Sequence, residues 1–225
     1  MSVRRKPRTM TGAVVAVVIC VVCALPKLGA AQAVTGSPIP GLPGYGVDLG
    51  LDPSSGEIVE LLVYHAQKQV QALKVCTPAP VPRQSPVGTM DTADYNFDGH
   101  YDLALETAFK NGNASYCIWL YDPKTDRFVL SPELSKLTNT RPDPNNHTVI
   151  SYAKGDCEIC YRQETYRWSK GQLVPVREVS VIPAEMSLNL SLGCEWVRTV
   201  REEKRGKMQF VSRSQVNSLG QDCLP

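Results

Sequence analysis

The chain has 225 residues, 43% hydrophobic and 20% charged, and a formal charge of +2 that conceals an uneven distribution. All 22 acidic residues follow Ala33, while five of the 24 basic ones (Arg4, Arg5, Lys6, Arg8 and Lys27) precede it, so the balance after Ala33 is 19 against 22, or −3. A mildly acidic chain is a poor candidate for nucleic acid or anionic lipid, so neither is expected as its partner.

The basic cluster at the N-terminus is followed by an apolar run, Ala13 to Leu25, and then by small residues ending in Ala31-Gln-Ala33. Charged start, short apolar middle and an A-x-A site read as a secretory signal peptide over residues 1–33, cleaved after Ala33. The run is too short for a comfortable membrane span, so no stable membrane anchor is expected. Cys20 and Cys23 follow Ile19 and Val22 rather than small residues, which argues against lipid attachment.

Residues 34–56 are rich in Gly and Pro without periodicity and read as an extended leader. From Glu57 the chain reads as hairpins. Ile58–Tyr64 and Gln69–Val75 form the first pair, and the Pro-rich stretch from Thr77 to Pro86 is a connection. Ser115–Tyr121 and Arg127–Leu130 flank the turn Asp122-Pro-Lys-Thr-Asp126, and Ser131–Leu137 has room for one helical turn. After a polar loop over 138–147 and a strand at Thr148–Tyr152, the pairs Tyr161–Trp168 with Leu173–Val179 and Trp196–Arg201 with Met208–Ser212 complete the series. Pro175 places its strand at an edge or a bulge. Short strands at regular spacing imply an all-β fold of antiparallel hairpins, sandwich- or propeller-like, in one β-rich domain over 57–225. Trp119, Phe128, Trp168, Phe97 and Phe210 are its expected core aromatics.

Six cysteines follow the leader: Cys76, Cys117, Cys157, Cys160, Cys194 and Cys223. An even number in an oxidising compartment predicts up to three structural disulfides, with connectivity left open. Cys157-Glu-Ile-Cys160 lacks the strand-to-helix setting of a redox pair, and zinc would need ligands that only His65, His100 and His147 could add.

The stretch Asp94-Tyr-Asn96-Phe-Asp98-Gly99-His100-Tyr-Asp102 places oxygen donors at positions 1, 3, 5 and 9 of a loop, with glycine at 6 and a carbonyl, that of His100, at 7. Alternate side chains pointing inward around a sharp turn are the spacing of an EF-hand-like calcium loop. Position 12, however, is Leu105, with Glu106 one residue late, and the following Leu103–Phe109 alternates as a strand. Such a site reads as structural Ca2+ held by Asp94, Asn96, Asp98, His100 and Asp102, completed by Asp91, Glu106, water or a distant residue. It does not read as a sensor.

No G-x-S-x-G, H-E-x-x-H or phosphate-cradling glycine loop is present, and the three histidines lie in separate turns and loops. Paired carboxylates from Glu106, Glu158 and Glu164 would be the one route to acid/base chemistry. The chain is read as a non-enzyme.

Three segments in order, Asp91–Leu103, Ile118–Phe128 and Glu164–Val174, resemble a family of exported bacterial β-proteins. Its best-known members are periplasmic immunity proteins of the bacterium-killing type IV secretion system. Loops like Asp94–Asp102 also occur in FG-GAP repeats. The resemblance implies a non-enzymatic β-fold with a structural calcium ion, located in the periplasm. It also implies a protein partner, a lysozyme-like peptidoglycan hydrolase effector, blocked by a loop entering its cleft. No motif identifies that loop. The physical candidate is Ser151–Tyr161, with Tyr152, Lys154, Asp156, Glu158 and Tyr161 as contacts and a disulfide to stiffen it. The competing expectation is a calcium-stabilised adhesion or carbohydrate-binding module without inhibitory activity.

Overall fold

The computed structural model describes residues 36–81, 89–184 and 196–223. The predicted signal peptide, Cys194 and the 82–86 part of the Pro-rich connection lie outside them. Three antiparallel meanders follow one another along the chain, each with its strands in sequence order. The first contains β1 (Ser37–Pro38), β2 (Tyr45–Leu51), β3 (Ile58–His65) and β4 (Lys68–Ala79). The second contains β5 (Met90–Ala93), β6 (Asp102–Lys110), β7 (Asn113–Asp122) and β8 (Arg127–Leu130). A single helical turn, α1 (Pro132–Ser135), is capped by the Ser131 side chain. The third sheet then runs through β9 (Arg141–Asp143), β10 (Thr148–Lys154), β11 (Tyr161–Ser169), β12 (Gln172–Pro183), β13 (Trp196–Lys204) and β14 (Lys207–Val216). The all-β antiparallel expectation holds, as stacked open sheets. Among the described residues no helix is long and apolar enough to cross a membrane.

Turn chemistry sets the register of several hairpins. Asn111-Gly112, Lys170-Gly171 and Arg205-Gly206 each have positive φ at both residues and join strands through two-residue loops. This is the turn whose twist matches that of paired strands.

Strands β6 and β7 are buried on both faces of the second sheet. Leu103, Leu105, Cys117, Trp119 and Tyr121 join a core with Val47, Leu61, Val63 and Leu73 of the first sheet. Ala104 and Ile118, one residue out of phase, join a second core with Val149, Leu134 and Trp168. Odd positions therefore face one neighbouring sheet and even positions the other, which explains why Asp102–Thr107 is buried without a break.

The predicted leader differs from what is observed. Its described part supplies β1 and β2, and Ile39, Leu42, Tyr45 and Val47 are buried in the first core. Its prolines and glycines masked this, because only Tyr45, Val47 and Leu49 carry the period-two pattern. Part of the Pro-rich connection also extends β4, where Pro78 is tolerated because β4 is an edge strand. Pro175 sits beside a bulge at Thr165/Tyr166, before β12 begins to pair with β13 at Arg177. The polar loop over 138–147 contains the short β9. Phe210 is the failed core aromatic, 61% exposed on the edge strand β14, whereas Trp119 and Phe128 are buried.

The difference between those aromatics is measurable. Trp119→Ala is expected to lower unfolding stability by about 3–5 kcal/mol, against a change within roughly 0.5 kcal/mol for Phe210→Ala. Urea melts of both variants test this, and equal losses would refute the assignment of the core.

Candidate functional site

Polar fastenings determine where the loops are held. Asn139, in the arm after α1, donates from Nδ2 to the carbonyls of Tyr152 (2.8 Å) and Gly112 (3.1 Å), and its Oδ1 accepts from Ala114 N–H at 2.9 Å. Asn113 pairs with the Lys154 backbone in both directions, accepting at 2.7 Å and donating at 2.9 Å. The Tyr152 N–H donates to Thr138 O. These amides take the place of strand neighbours and clamp the end of β10 to the β6–β7 turn.

The Ser151–Tyr161 segment grows from that clamp. Lys154 ends β10, Tyr161 begins β11, and the connection closes on itself through Gly155 N–H to Cys160 O at 2.8 Å. A disulfide joins Cys157 to Cys160 within the loop. A side chain at Gly155 would bring its Cβ to 2.9 Å from Cys160 Cβ, so glycine is needed for the closure. The rings of Tyr152 and Tyr161 stack at 5.5 Å, and Tyr152 is 37% exposed. Lys154, Asp156 and Glu158 are exposed around them. The five residues singled out from sequence thus lie on one stapled hairpin end. A rigid loop with an aromatic pair and flanking charges loses little freedom on entering a partner's cleft.

The acidic turn lies between β5 and β6, at the start of β6. Asp94 Oδ1 and Asn96 Oδ1 both accept from Asp98 N–H at 3.2 Å, and Asp94 Oδ2 accepts from Gly99 N–H at 2.9 Å. Asp98 Oδ1 accepts from His100 N–H at 2.9 Å. Phe97 and Gly99 have φ of 61° and 90°, the left-handed conformations this wrapping requires. Asp102 has a different setting. It is fully buried and accepts from Tyr95 N–H (2.7 Å) and Tyr121 N–H (2.9 Å), bracing the turn against β7. Burial pushes its carboxyl up to about 7 against the pull of those two donors, and Asp98 and Asp94 push the same way.

In kind, these donors suit calcium: Asp94, Asn96 and Asp98 are hard oxygens wrapped around one turn. In number they are few. Among the described residues no three His, Cys, Asp or Glu side chains converge as a metal cluster. Leu105 is buried in the first core, Glu106 is buried with its carboxyl raised by desolvation, and Asp91 caps Thr92 N–H. Glu106 on β6, Glu158 on the stapled loop and Glu164 on β11 occupy separate elements. Glu164 is committed to Arg162, which also binds Glu178.

Cys76 and Cys117 form a disulfide joining β4 to β7, hence the first sheet to the second. Closing a loop of 41 residues is worth about 4 kcal/mol in the chain-entropy account. Cys223 is also disulfide-bonded. At the β7–β8 turn stands a further group joining the same two sheets, which sequence reasoning missed. Asp126, in the left-handed region at φ 55°, accepts from the phenols of Tyr45 (2.7 Å) and Tyr121. One phenol comes from each sheet. Gln71 ties the same pair of sheets, donating to Phe128 O at 2.7 Å and accepting from its N–H at 3.0 Å. The only sequence signal was a turn ending in Asp126 with Tyr121 just before it; the partner 81 residues away, Tyr45, was not predictable from it.

Solved structures include a chain with the same fold, described as the structure of a Xanthomonas type IV secretion system related protein. It has a TM-score of 0.54 and 15% identity, and the match covers 80% of this chain and 98% of that one. The likeness is one of fold. No protein-family model and no curated protein matches this sequence.

The Tyr121 and Tyr45 phenols hold the Asp126 carboxyl below its usual 3.8. Folding therefore favours the ionised form, a contribution complete above about pH 4 and lost as pH falls through the lower folded value. Asp126→Asn is expected to melt below the unaltered protein at pH 7, with the gap closing on acidification. Thermal melts between neutral pH and about pH 2 check it; a gap independent of pH would overturn the assignment.

Proposed function

We propose that this protein is an exported periplasmic inhibitor that blocks a lysozyme-like peptidoglycan hydrolase effector of a type IV secretion system, as an immunity protein for the cell that makes it. The observation that carries this reading is the stapled loop at 155–160, closed by its disulfide and clamped through Asn113 and Asn139. The fold shared with a secretion-system related protein supports it. The role is one of binding, not catalysis. Tyr152 and Tyr161 supply rigid apolar area, while Lys154, Asp156 and Glu158 supply charge for polar groups of a hydrolase cleft. Holding the loop before binding spares about 0.5–1.5 kcal/mol for each side chain that need not be ordered.

The test is clearance of a peptidoglycan suspension by a panel of lysozyme-like hydrolases, followed by turbidity with and without the purified protein. Stoichiometric protection against at least one member is expected. Tyr152→Ala should weaken it about thirtyfold, as for a central aromatic anchor losing about 2 kcal/mol. A Cys157→Ser/Cys160→Ser variant should weaken it less while keeping its melting temperature close to that of the unaltered protein. Absence of protection across the panel would sink the reading.

The acidic turn is proposed to hold a structural Ca2+ through Asp94, Asn96, Asp98 and the His100 carbonyl, with Asp102 and water completing the shell. Calcium would offset the repulsion among these carboxylates and lock the β5–β6 connection. Extracellular sites of this kind bind at roughly 10⁻⁴ to 10⁻³ M. At about 100 times Kd, calcium would add about 2.7 kcal/mol, or some 5 to 10 °C of melting temperature. Chelation should remove that increment and Asp98→Ala should mimic it. Identical melts with calcium and with chelator would remove the site.

A further inference from the structure

The third sheet has a second face, turned away from the core it shares with the second sheet. Pairing runs Tyr161↔Val181↔Arg198↔Ser214, Gln163↔Val179↔Val200↔Ser212 and Thr165↔Arg177↔Glu202. These rows present their side chains on the face opposite Tyr166 and Trp168, which pack inward. Bulges at Thr165/Tyr166 and Val200/Arg201 sharpen the twist of the sheet. The result is a trough of two adjoining cavities, about 530 and 440 Å³, that share Gln163 and Arg177. Each falls within the roughly 300–1,000 Å³ range of small-ligand sites.

The lining defines what would fit. Arg177 is paired with Glu202 at 3.6 Å, and Arg198 with Asp222, which also accepts from Ser214 Oγ at 2.6 Å. Over the whole lining, three arginines (Arg167, Arg177 and Arg198) stand against four acids (Asp143, Glu202, Glu203 and Asp222), so the charges nearly balance and neither a strong anion nor a strong cation is favoured. Gln163 and Thr165 are half-buried at the centre, and among the described residues their side chains have no hydrogen-bond partner. Half-buried amide and hydroxyl groups without partners are matched by a ligand carrying many neutral donors and acceptors. Apart from Tyr161 at one end, the trough's lining holds no aromatic anchor of the kind on which protein interfaces rest, which disfavours a protein partner at its centre. Tyr161, one ring face of which is stacked on Tyr152, leaves its other face at one end of the trough for a sugar ring to stack against.

From this geometry we infer that the exposed trough of the third sheet, centred on Gln163 and Thr165, is a binding site for a neutral oligosaccharide. The strands from β10 to β14 span about 19 Å at the usual strand spacing, room for a short linear chain of sugars rather than a single one. Gln163 and Arg177 would exchange hydrogen bonds with ring hydroxyls or acetamido groups, and Thr165 would accept or donate one more.

The experiment is a ¹⁵N–¹H NMR titration of the exported chain with chitotetraose and, separately, cellotetraose. Saturable shifts of the Gln163, Thr165, Arg177 and Ser212 amides with at least one of them are expected. Gln163→Ala and Thr165→Val should each weaken binding about five- to tenfold, the size of one lost hydrogen bond, with the remaining spectrum unchanged as proof of folding. No saturable shift with either sugar at tens of millimolar, shifts confined to other strands, or undiminished binding by both variants would each overturn the inference. The titration contains no hydrolase, so its failure leaves the inhibitor reading standing, and failure of turbidity protection leaves the trough standing.

Discussion

The structure depends on the burial of one sheet from both sides. Strands β6 and β7 send Leu103, Leu105, Cys117 and Trp119 into one core and Ala104 and Ile118 into the other. A central sheet of this kind cannot slip by one residue, because a slip would exchange the two faces and place Asp102 and Glu106 differently with respect to both cores. The flanking sheets are one-sided by comparison, each contributing an inner face to a core shared with the centre.

Apolar contact gives the layers their order but little angular precision, and directional bonds supply it. Between the first and second sheets these are the Cys76–Cys117 disulfide, the Gln71 amide on Phe128 and the two phenols on Asp126. Between the second and third they are the Asn113 and Asn139 amides, with Trp168 Nε1 donating to Tyr95 O at 2.8 Å. The candidate functional loop hangs from the second set. Its rigidity is therefore inherited from the junction of two sheets as well as from its own disulfide. The acidic turn stands at the opposite end of β6 from the Asn113 clamp, fastened by the buried Asp102 carboxylate. The stapled loop and the acidic turn thus lie toward opposite ends of the central strand, which is about 27 Å long at the strand rise across its nine residues.

Much of the strand content was legible because alternation and X-Gly turns are local. The hairpins at 161–179 and 196–212, the helical turn at α1 and the bulge at Pro175 are all visible in short windows. The described part of the leader was not, since Tyr45 and Val47 are separated by glycine and flanked by prolines, and their burial depends on β3 lying alongside. Phe210 misled for the opposite reason: its alternation is sound, but no layer among the described residues covers that part of β14. At the candidate sites, Tyr152, Lys154, Asp156, Glu158 and Tyr161 share one hairpin end and Asp94, Asn96 and Asp98 share one turn, as their closeness in sequence dictates. Asp102 was named as a ligand without its bracing role, which required knowing that Tyr121 would pass beside it.

By itself the sequence determined what acts over a few residues: strand alternation, turn types, the wrapping of Asp94 to Gly99, and a cysteine pair spaced to close a small loop. Only the tertiary structure decided that Asp126 would collect phenols from two sheets, that Asn139 would hold the stapled loop, and that, among the described residues, one face of the third sheet would form an open polar trough. The division has a physical cause. A turn or a strand is selected by the dihedral preferences of its own residues, whereas a hydrogen bond across layers is selected by which faces the whole chain must bury.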